Sequence, residues 1–325
     1  MKKRQLKNIN LKCPILSFGG APIGNLFERL NNKTAELILK EAHKNGISLY
    51  DTSPFYGYGL SEKRIGSFIS KLDREDFILS TKVGRYLLPE KSAKIDRGIF
   101  KGGLNYKPII DYSYDGVMKS FEQSLIRLKV DYIDLCLIHD VDKFTHGKKF
   151  DYYYKIAMNG AYKAVQKLKD QKLVKGIGLG LNDANVANKF ILEEQFDCVL
   201  LAGRYTLLER SAEEEFFTNA NEKGVDIILA GIFNSGVLAK GLKNSTYFYK
   251  PIPKKILRKF FKLEKLCNQF NVPIQAAAIQ YPLRKDFVKS IILGMDDVVQ
   301  IKKNISFLNY KIKEEFWHKL NEIDI

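Results

Sequence analysis

An eightfold alternation constrains this chain more than any other feature. Short apolar, β-branched runs are each followed by a longer amphipathic stretch, the pattern of parallel strands joined by crossover helices. The strand runs read "PILSFGG" (14–20), "ISLYD", "FILSTKVG", "YIDLCLIHD", "VKGIGLGLN", "DCVLLAG", "VDIILAG" and "KSIILGM" (289–295). Helices are expected in "NKTAELILKEAHKNG", with Thr34 as cap and Gly46 as stop, and in "SEKRIGSFISKL", with Ser61 as N-cap. Others are expected in "GVMKSFEQSLIRLKV", "GAYKAVQKLKDQKL", 183–195, 211–223, 254–270, "IQAAAIQYPL", "DDVVQIKKNISFL" and "EEFWHKLNEI". Segment 85–113 and the stretch through Pro251 and Pro253 read as long loops. The pattern fits a closed (β/α)8 TIM barrel with long βα loops at its C-terminal face better than an open sheet. No linker or repeat divides the 325 residues, so one domain over 1–325 is expected.

Several function classes are disfavoured. No apolar run reaches the roughly 18 residues of a spanning helix. The N-terminus "MKKRQLKNINLKCP" has no apolar signal core, so a cytoplasmic location with no membrane partner is expected. Cys13, Cys136, Cys198 and Cys267 stand at no metal or redox spacing, and the four histidines form no ligand pair. No metal is expected. The net charge of +16 raises nucleic acid as a partner, but the lysines are spread along the chain without any nucleic-acid-binding signature. A solvated basic surface that helps draw in an anionic cofactor accounts for them. The glycines of "GIGLG" lack the third glycine and the spaced acid of a dinucleotide-binding turn, and that reading is set aside.

In such barrels the chemistry gathers at the C-terminal ends of the strands. The second strand ends at Asp51, with Tyr56 on the loop beyond; the third carries Lys82 near its end; the fourth ends in His139. Each has a plainer role open to it. Asp51 could cap a turn, Tyr56 could cover the barrel mouth, Lys82 could reach solvent, and His139 could bond the backbone. Four ionisable groups meeting on one rim point to function instead, because clustered buried charges are costly unless used. The set suits carbonyl reduction or its reverse. A phenol of ordinary pKa about 10 is a poor proton carrier near neutrality. A lysine cation favours the phenolate, an aspartate holds the lysine, and a histidine orients the substrate oxygen. None of these groups can supply a hydride, so a nicotinamide cofactor is implied.

The stretches "DTSPFYGYGLSEKRIG", "STKVGRY", "DYSYDGVMKSFEQSLIRLKVDYIDLCLIHD" and "LAGRYTLLER" resemble the aldo-keto reductase superfamily nearly end to end. With "FNSGVLA", they resemble more narrowly the D-threo-aldose 1-dehydrogenase branch, which includes L-fucose, L-galactose and pyridoxal 4-dehydrogenases. The resemblance implies a catalytic tetrad of Asp51, Tyr56, Lys82 and His139, with Tyr56 as general acid/base. It implies oxidation of an aldose at C1 to a lactone, or the reverse carbonyl reduction. The alternatives are a carbonyl or pyridoxal reductase on the same fold and a non-catalytic cofactor-sensing member.

The cofactor positions implied by the resemblance are Gly20, Asp51, Asn182, Phe233, Ser235, Gly236, Gly294, Asp297, Gln300 and Asn304. Asn182 stands near the usual carboxamide-binding pair, shifted in register. Ala202 replaces a common glutamine, and Phe233 is expected in place of a stacking tyrosine. Ser235 and Gly236 are expected at the pyrophosphate. NADP-preferring members place two cations where this chain has Gly294 and Gln300, with Asp296 and Asp297 between. Two lost cations and two added acids disfavour a 2'-phosphate, so NAD is expected over NADP, with Lys302 and Lys303 as the nearest competing cations. Phe55, Tyr86 and Phe144, with Tyr56 and His139, are the expected substrate contacts. The partner is a small molecule, and the chain is expected to act as a monomer or homodimer.

Overall fold

The computed structural model describes residues 1–92, 95–243, 245–248 and 250–323. The chain opens with an antiparallel hairpin of β1 (Lys3–Leu6) and β2 (Leu11–Pro14). There follow β3 (Leu16–Gly19), α1 (Asn32–Lys44), β4 (Leu49–Asp51), α2 (Leu60–Ile69) and β5 (Ile78–Val83). A second antiparallel hairpin, β6 (Arg85–Pro89) and β7 (Tyr106–Ile110), precedes α3 (Tyr114–Leu128) and β8 (Ile133–His139). Then come α4 (Lys143–His146), α5 (Phe150–Ile156), α6 (Tyr162–Asp170), β9 (Val174–Leu181), α7 (Ala184–Glu193) and β10 (Cys198–Ala202). The remaining elements are α8 (Phe216–Glu222), β11 (Asp226–Ala230), α9 (Val237–Lys240), α10 (Lys254–Gln269) and α11 (Ile274–Leu283). The chain finishes with β12 (Val288–Gly294), α12 (Val298–Leu308) and α13 (Glu314–Glu322).

Among the described residues, β3, β4, β5, β8, β9, β10, β11 and β12 close into a parallel barrel in that order, with β12 pairing back onto β3. The helices surround it, giving the expected TIM barrel. Side chains alternate along each strand, so one set faces the barrel interior and the other faces the helices. Leu49, Ile78, Leu135, Leu137, Cys198, Leu200, Ile228 and Ile292 form the interior cluster. Leu6, Ile9, Leu11 and Cys13 from the first hairpin complete that cluster and plug the N-terminal end of the barrel. The N-terminal segment thus contributes a structural plug that its basic composition conceals.

The alternation also sets the direction of the polar strand ends. Asp51 shares the parity of Leu49 on β4, Lys82 that of Ile78 on β5, and His139 that of Leu135 and Leu137 on β8. All three therefore point into the barrel mouth.

Two helix caps differ from expectation. Asn31, rather than Thr34, caps α1, its side-chain oxygen accepting from Thr34 N at 2.8 Å. Ser61 lies inside α2, which starts after Gly59 in a left-handed conformation (φ 91°), and its hydroxyl donates to Gly20 O at 2.7 Å. Here a tertiary bond uses a hydroxyl that the local pattern would assign to capping. Gly46 does sit beyond α1 with φ +81°. Segment 85–113, expected as a loop, holds the second hairpin. The helix expected in "GAYKAVQKLKDQKL" is preceded directly by α5 and a π-helical turn, Ala157–Ala161. No helix among the described residues is long and apolar enough to cross a membrane.

Candidate active site

Lys82 is 2% exposed, with its ammonium 2.6 and 2.8 Å from the two carboxylate oxygens of Asp51 and 2.9 Å from Thr52 O. Three acceptors match the three donors of an ammonium, which is the condition for burying one. Ser80 Oγ adds a hydrogen bond to Asp51 Oδ1 at 2.7 Å, fixing the carboxylate from the neighbouring strand. Space for the lysine comes from β9. A Cβ at Gly180 would lie 2.9 Å from Lys82 Cδ, so this glycine of "GIGLG" is explained by close approach within the barrel rather than by phosphate binding.

Tyr56 leans in from the β4–α2 loop. Its ring centre lies 5.6 Å from Lys82 Nζ and 6.0 Å from the His139 ring, edge to face. The loop is held by backbone bonds from Tyr56 N to Ser53 O and from Ser61 N to Tyr56 O, and it turns at Gly57 with φ +63°. His139 Nδ1 is 3.2 Å from Ser53 Oγ, and its Nε2 is 3.4 Å from Asp140 Oδ2. Burial, then the Arg85 and Lys82 cations, hold the His139 imidazole well below its ordinary pKa, so it stays neutral near neutral pH. The structure thus brings Asp51, Tyr56, Lys82 and His139 together at one mouth. A neutral imidazole, a phenol and a bound ammonium around one space can orient an oxygen and carry its proton.

Residues outside the sequence-based assignments complete the mouth. Phe100, 3% exposed, returns from the loop between β6 and β7 to lie 6.2 Å from the Tyr56 ring and 5.5 Å from Phe55. Its loop is tied down by Lys101 N to Asn25 O and Leu104 N to Gly57 O. Arg85 Nη2 pairs with Asp140 Oδ2 at 3.1 Å, and the guanidinium sits 4.9 Å over the Phe55 ring. Arg85 and Asp140 adjoin the strand ends that carry Lys82 and His139, and two opposite charges so close to those ends are the signal that could have found them.

Of the expected substrate contacts, Phe55 lies beside Phe100 and Arg85. Tyr86 is not brought to the cluster. Its ring lies against Lys119 of α3 at 4.1 Å, and alternation along β6 sends Arg85, not Tyr86, to the opposite side. Phe144 is 61% exposed on α4, with Lys250 Nζ 6.0 Å from its ring, and is likewise not gathered with the four.

The residues expected around a dinucleotide lie beyond strand C-terminal ends. Asn182, just past β9, donates to Asp140 Oδ1 at 3.1 Å. Gly20 follows β3, and a Cβ there would lie 2.5 Å from Ser61 Oγ, so packing alone requires its glycine. Half-buried Phe233, Ser235 and Gly236 follow β11, where Asn234, Ser235 and Gly236 run through φ of 48°, 55° and 103°. Gly294 ends β12. Asp297 caps α12 by accepting from Val299 N at 3.1 Å, and the Gln300 side chain bonds Asp296. Asn304 is buried on α12. Asn234 supplies a test of fit for the cofactor. It is 3% exposed, and neither its amide nitrogen nor its oxygen has a hydrogen-bond partner among the described residues. A buried amide left idle is costly, and a polar ligand along this loop would satisfy it. The residues present fit a nicotinamide dinucleotide.

The comparisons with known proteins converge. Residues 15–325 match the aldo/keto reductase family. Pyridoxal 4-dehydrogenase from Microbacterium luteolum is 35% identical, covering 98% of this chain and 96% of its own. D-threo-aldose 1-dehydrogenase from a Pseudomonas species is 33% identical, covering 96% and 94%. Among solved structures, a holo-form aldo-keto reductase from Bacillus halodurans superposes with a TM-score of 0.77 at 24% identity, over 99% of this chain and 96% of that one. That likeness bears on the fold.

Proposed function

The chain belongs to the aldo/keto reductase family, and from that premise we propose that it oxidises an aldose at C1 to a lactone, with NAD+ preferred over NADP+. It is an oxidoreductase acting on carbonyl and alcohol groups. The observation that carries the proposal is the buried Lys82–Asp51 pair lying beside Tyr56 and His139. When bound, a nicotinamide dinucleotide supplies the hydride acceptor.

This chain's own residues do the rest. Tyr56, as phenolate, takes the proton of the anomeric hydroxyl. The Lys82 cation favours that phenolate, and Asp51 holds the cation where water is excluded. Neutral His139 orients the substrate oxygen toward the phenol. Phe55 and Phe100 wall the space against water. Asn182 and the 233–236 loop would hold the carboxamide and pyrophosphate ends, and Gly294, Asp297, Gln300 and Asn304 would flank the adenosine.

The preference for NAD+ is supported by the surroundings of α12. Asp297 and the Asp296–Gln300 pair occupy its start, and Lys302 is turned to Glu41 of α1, 3.8 Å away. A dianionic 2'-phosphate there would meet carboxylates before cations. The single barrel acts on a small molecule in the cytoplasm, as a monomer or homodimer.

The two curated relatives are named for a sugar and for pyridoxal. Both molecules close into cyclic hemiacetals, and oxidation of either ring form at the hemiacetal carbon gives a lactone. A second reading, pyridoxal as substrate, is favoured by the 35% identity to the relative named for it. A panel of L-fucose, L-galactose, D-arabinose and pyridoxal, each with NAD+ and NADP+, tests both readings by the absorbance of the reduced nicotinamide. NADH formation with an aldose supports the first reading; activity confined to pyridoxal replaces it with the second.

A further inference from the structure

Arg85 lies beside the four residues, and beyond helping to keep His139 neutral it has no part in the chemistry above. Its side chain is 6% exposed. Nη2 is engaged by Asp140, but Nη1 is buried with no hydrogen-bond partner among the described residues. A buried donor left idle is costly, and more so when it is charged. An ion pair with Asp140 needs only a point charge, which a lysine would supply; the planar guanidinium adds a second edge of donors.

The partner of Arg85 is held by several groups at once. Asp140 lies just past β8 with φ 53°, a left-handed conformation that aspartate tolerates. Its carboxylate stands 3.4 Å from His139 Nε2, 3.1 Å from Arg85 Nη2 and 3.1 Å from Asn182 Nδ2. One carboxylate thereby gathers the oxygen-orienting imidazole and the guanidinium around a common point. The Phe55 ring, 4.9 Å from the guanidinium carbon, adds a cation–π contact that helps hold it in place.

We propose that Arg85 is a specificity-determining residue, whose unpartnered N–H edge donates to an oxygen on the carbon next to the reacting one. In an aldose this is the 2-hydroxyl; pyridoxal has no oxygen on the corresponding carbon. The proposal rests on the oxidoreductase reading and narrows its substrate class to α-hydroxy carbonyl compounds and their hemiacetals. A site that hydrogen-bonds a substrate hydroxyl rejects the analogue lacking it, because its own donor is then left unpaired.

The test uses the reductive direction, so that it stands apart from aldose oxidation. NADH consumption is measured with lactaldehyde and with propionaldehyde, for the wild type and Arg85→Lys. The wild type is expected to prefer lactaldehyde in kcat/KM by on the order of tenfold or more. In Arg85→Lys, with folding checked by thermal melting, the preference is expected to fall to within about threefold of unity. A purely structural role would lower both rates alike and leave the ratio unchanged. A wild type that reduces lactaldehyde no faster than propionaldehyde overturns the proposal whether or not the variant folds, and so does a folded variant that keeps the full preference. Failure of every aldose to reduce NAD+, alongside an intact Arg85-dependent preference, would instead remove the aldose reading and leave this one standing.

Discussion

Lys82 and Asp51 form a two-pronged ion pair, Nζ lying 2.6 and 2.8 Å from the carboxylate oxygens, with both side chains almost wholly buried. The pair joins β5 to β4 across the barrel interior and holds the cation 5.6 Å from the centre of the Tyr56 ring. Each partner makes burial of the other tolerable.

Under the proposed mechanism, removing the cation acts on proton transfer. Lys82→Met is expected to lower kcat by about 10²–10⁴-fold, the range of a general acid/base contribution. The pH for half-maximal oxidation is expected to move up toward the ordinary tyrosine value of about 10. A pH–rate profile for both proteins checks this; an unmoved profile would separate Lys82 from the chemistry.

Asp51→Ala should act on stability as well as on rate. It leaves Lys82 buried with only Thr52 O as a bonded partner, and an uncompensated buried charge costs about 3–5 kcal/mol. Denaturant unfolding would show the midpoint moved down with the slope preserved. A loss under about 1 kcal/mol would mean the lysine relaxes to water, contrary to the packing around it.

The depressed pKa of His139 has a definite sign for stability. Its folded value lies below the unfolded value of 6.5, so between the two the unfolded chain binds more protons. The stability from burying the neutral ring is present above about 6.5 and is lost as pH falls through that window toward the folded pKa. Half-buried His146 is depressed in the same direction. Melting temperature should therefore drop below that pH, and His139→Gln should flatten part of the drop. An equal slope in the variant would assign the effect elsewhere.

Cofactor preference is tested at the start of α12. Gln300→Arg removes the amide that bonds Asp296 and adds a cation. It is expected to raise kcat/KM with NADP+ about tenfold, equivalent to about 1.4 kcal/mol, while the wild type favours NAD+. Wild-type kcat/KM with NADP+ equal to or above that with NAD+ would overturn the preference.

Much of the site could be read from the strands because alternation carries direction. Asp51 two residues after Leu49 and His139 two after Leu137 must face the interior once those leucines do. What lay beyond the strand ends was less accessible. Arg85 and Tyr86 are adjacent, and only the pairing of β6 with β7 decides which turns inward. Phe100 comes from a stretch without periodicity, and its place over Tyr56 depends on backbone bonds to Asn25 and Gly57, distant in sequence. The caps at Asn31 and Gly59 were missed because Thr34 and Ser61 have the right chemistry one turn or two residues too late. Phe144, on α4, is exposed and lies apart from the four, which no sequence pattern around it foretells.

The central claim is that Tyr56 carries the proton, and removing only its hydroxyl isolates that role. NADH formation is measured for wild type and Tyr56→Phe with the best aldose of the panel, and NADH binding is measured by fluorescence for both. The account predicts a fall in kcat of about 10²–10⁴-fold with a dissociation constant for NADH within about twofold. A Tyr56→Phe protein that turns over at the wild-type rate would contradict it.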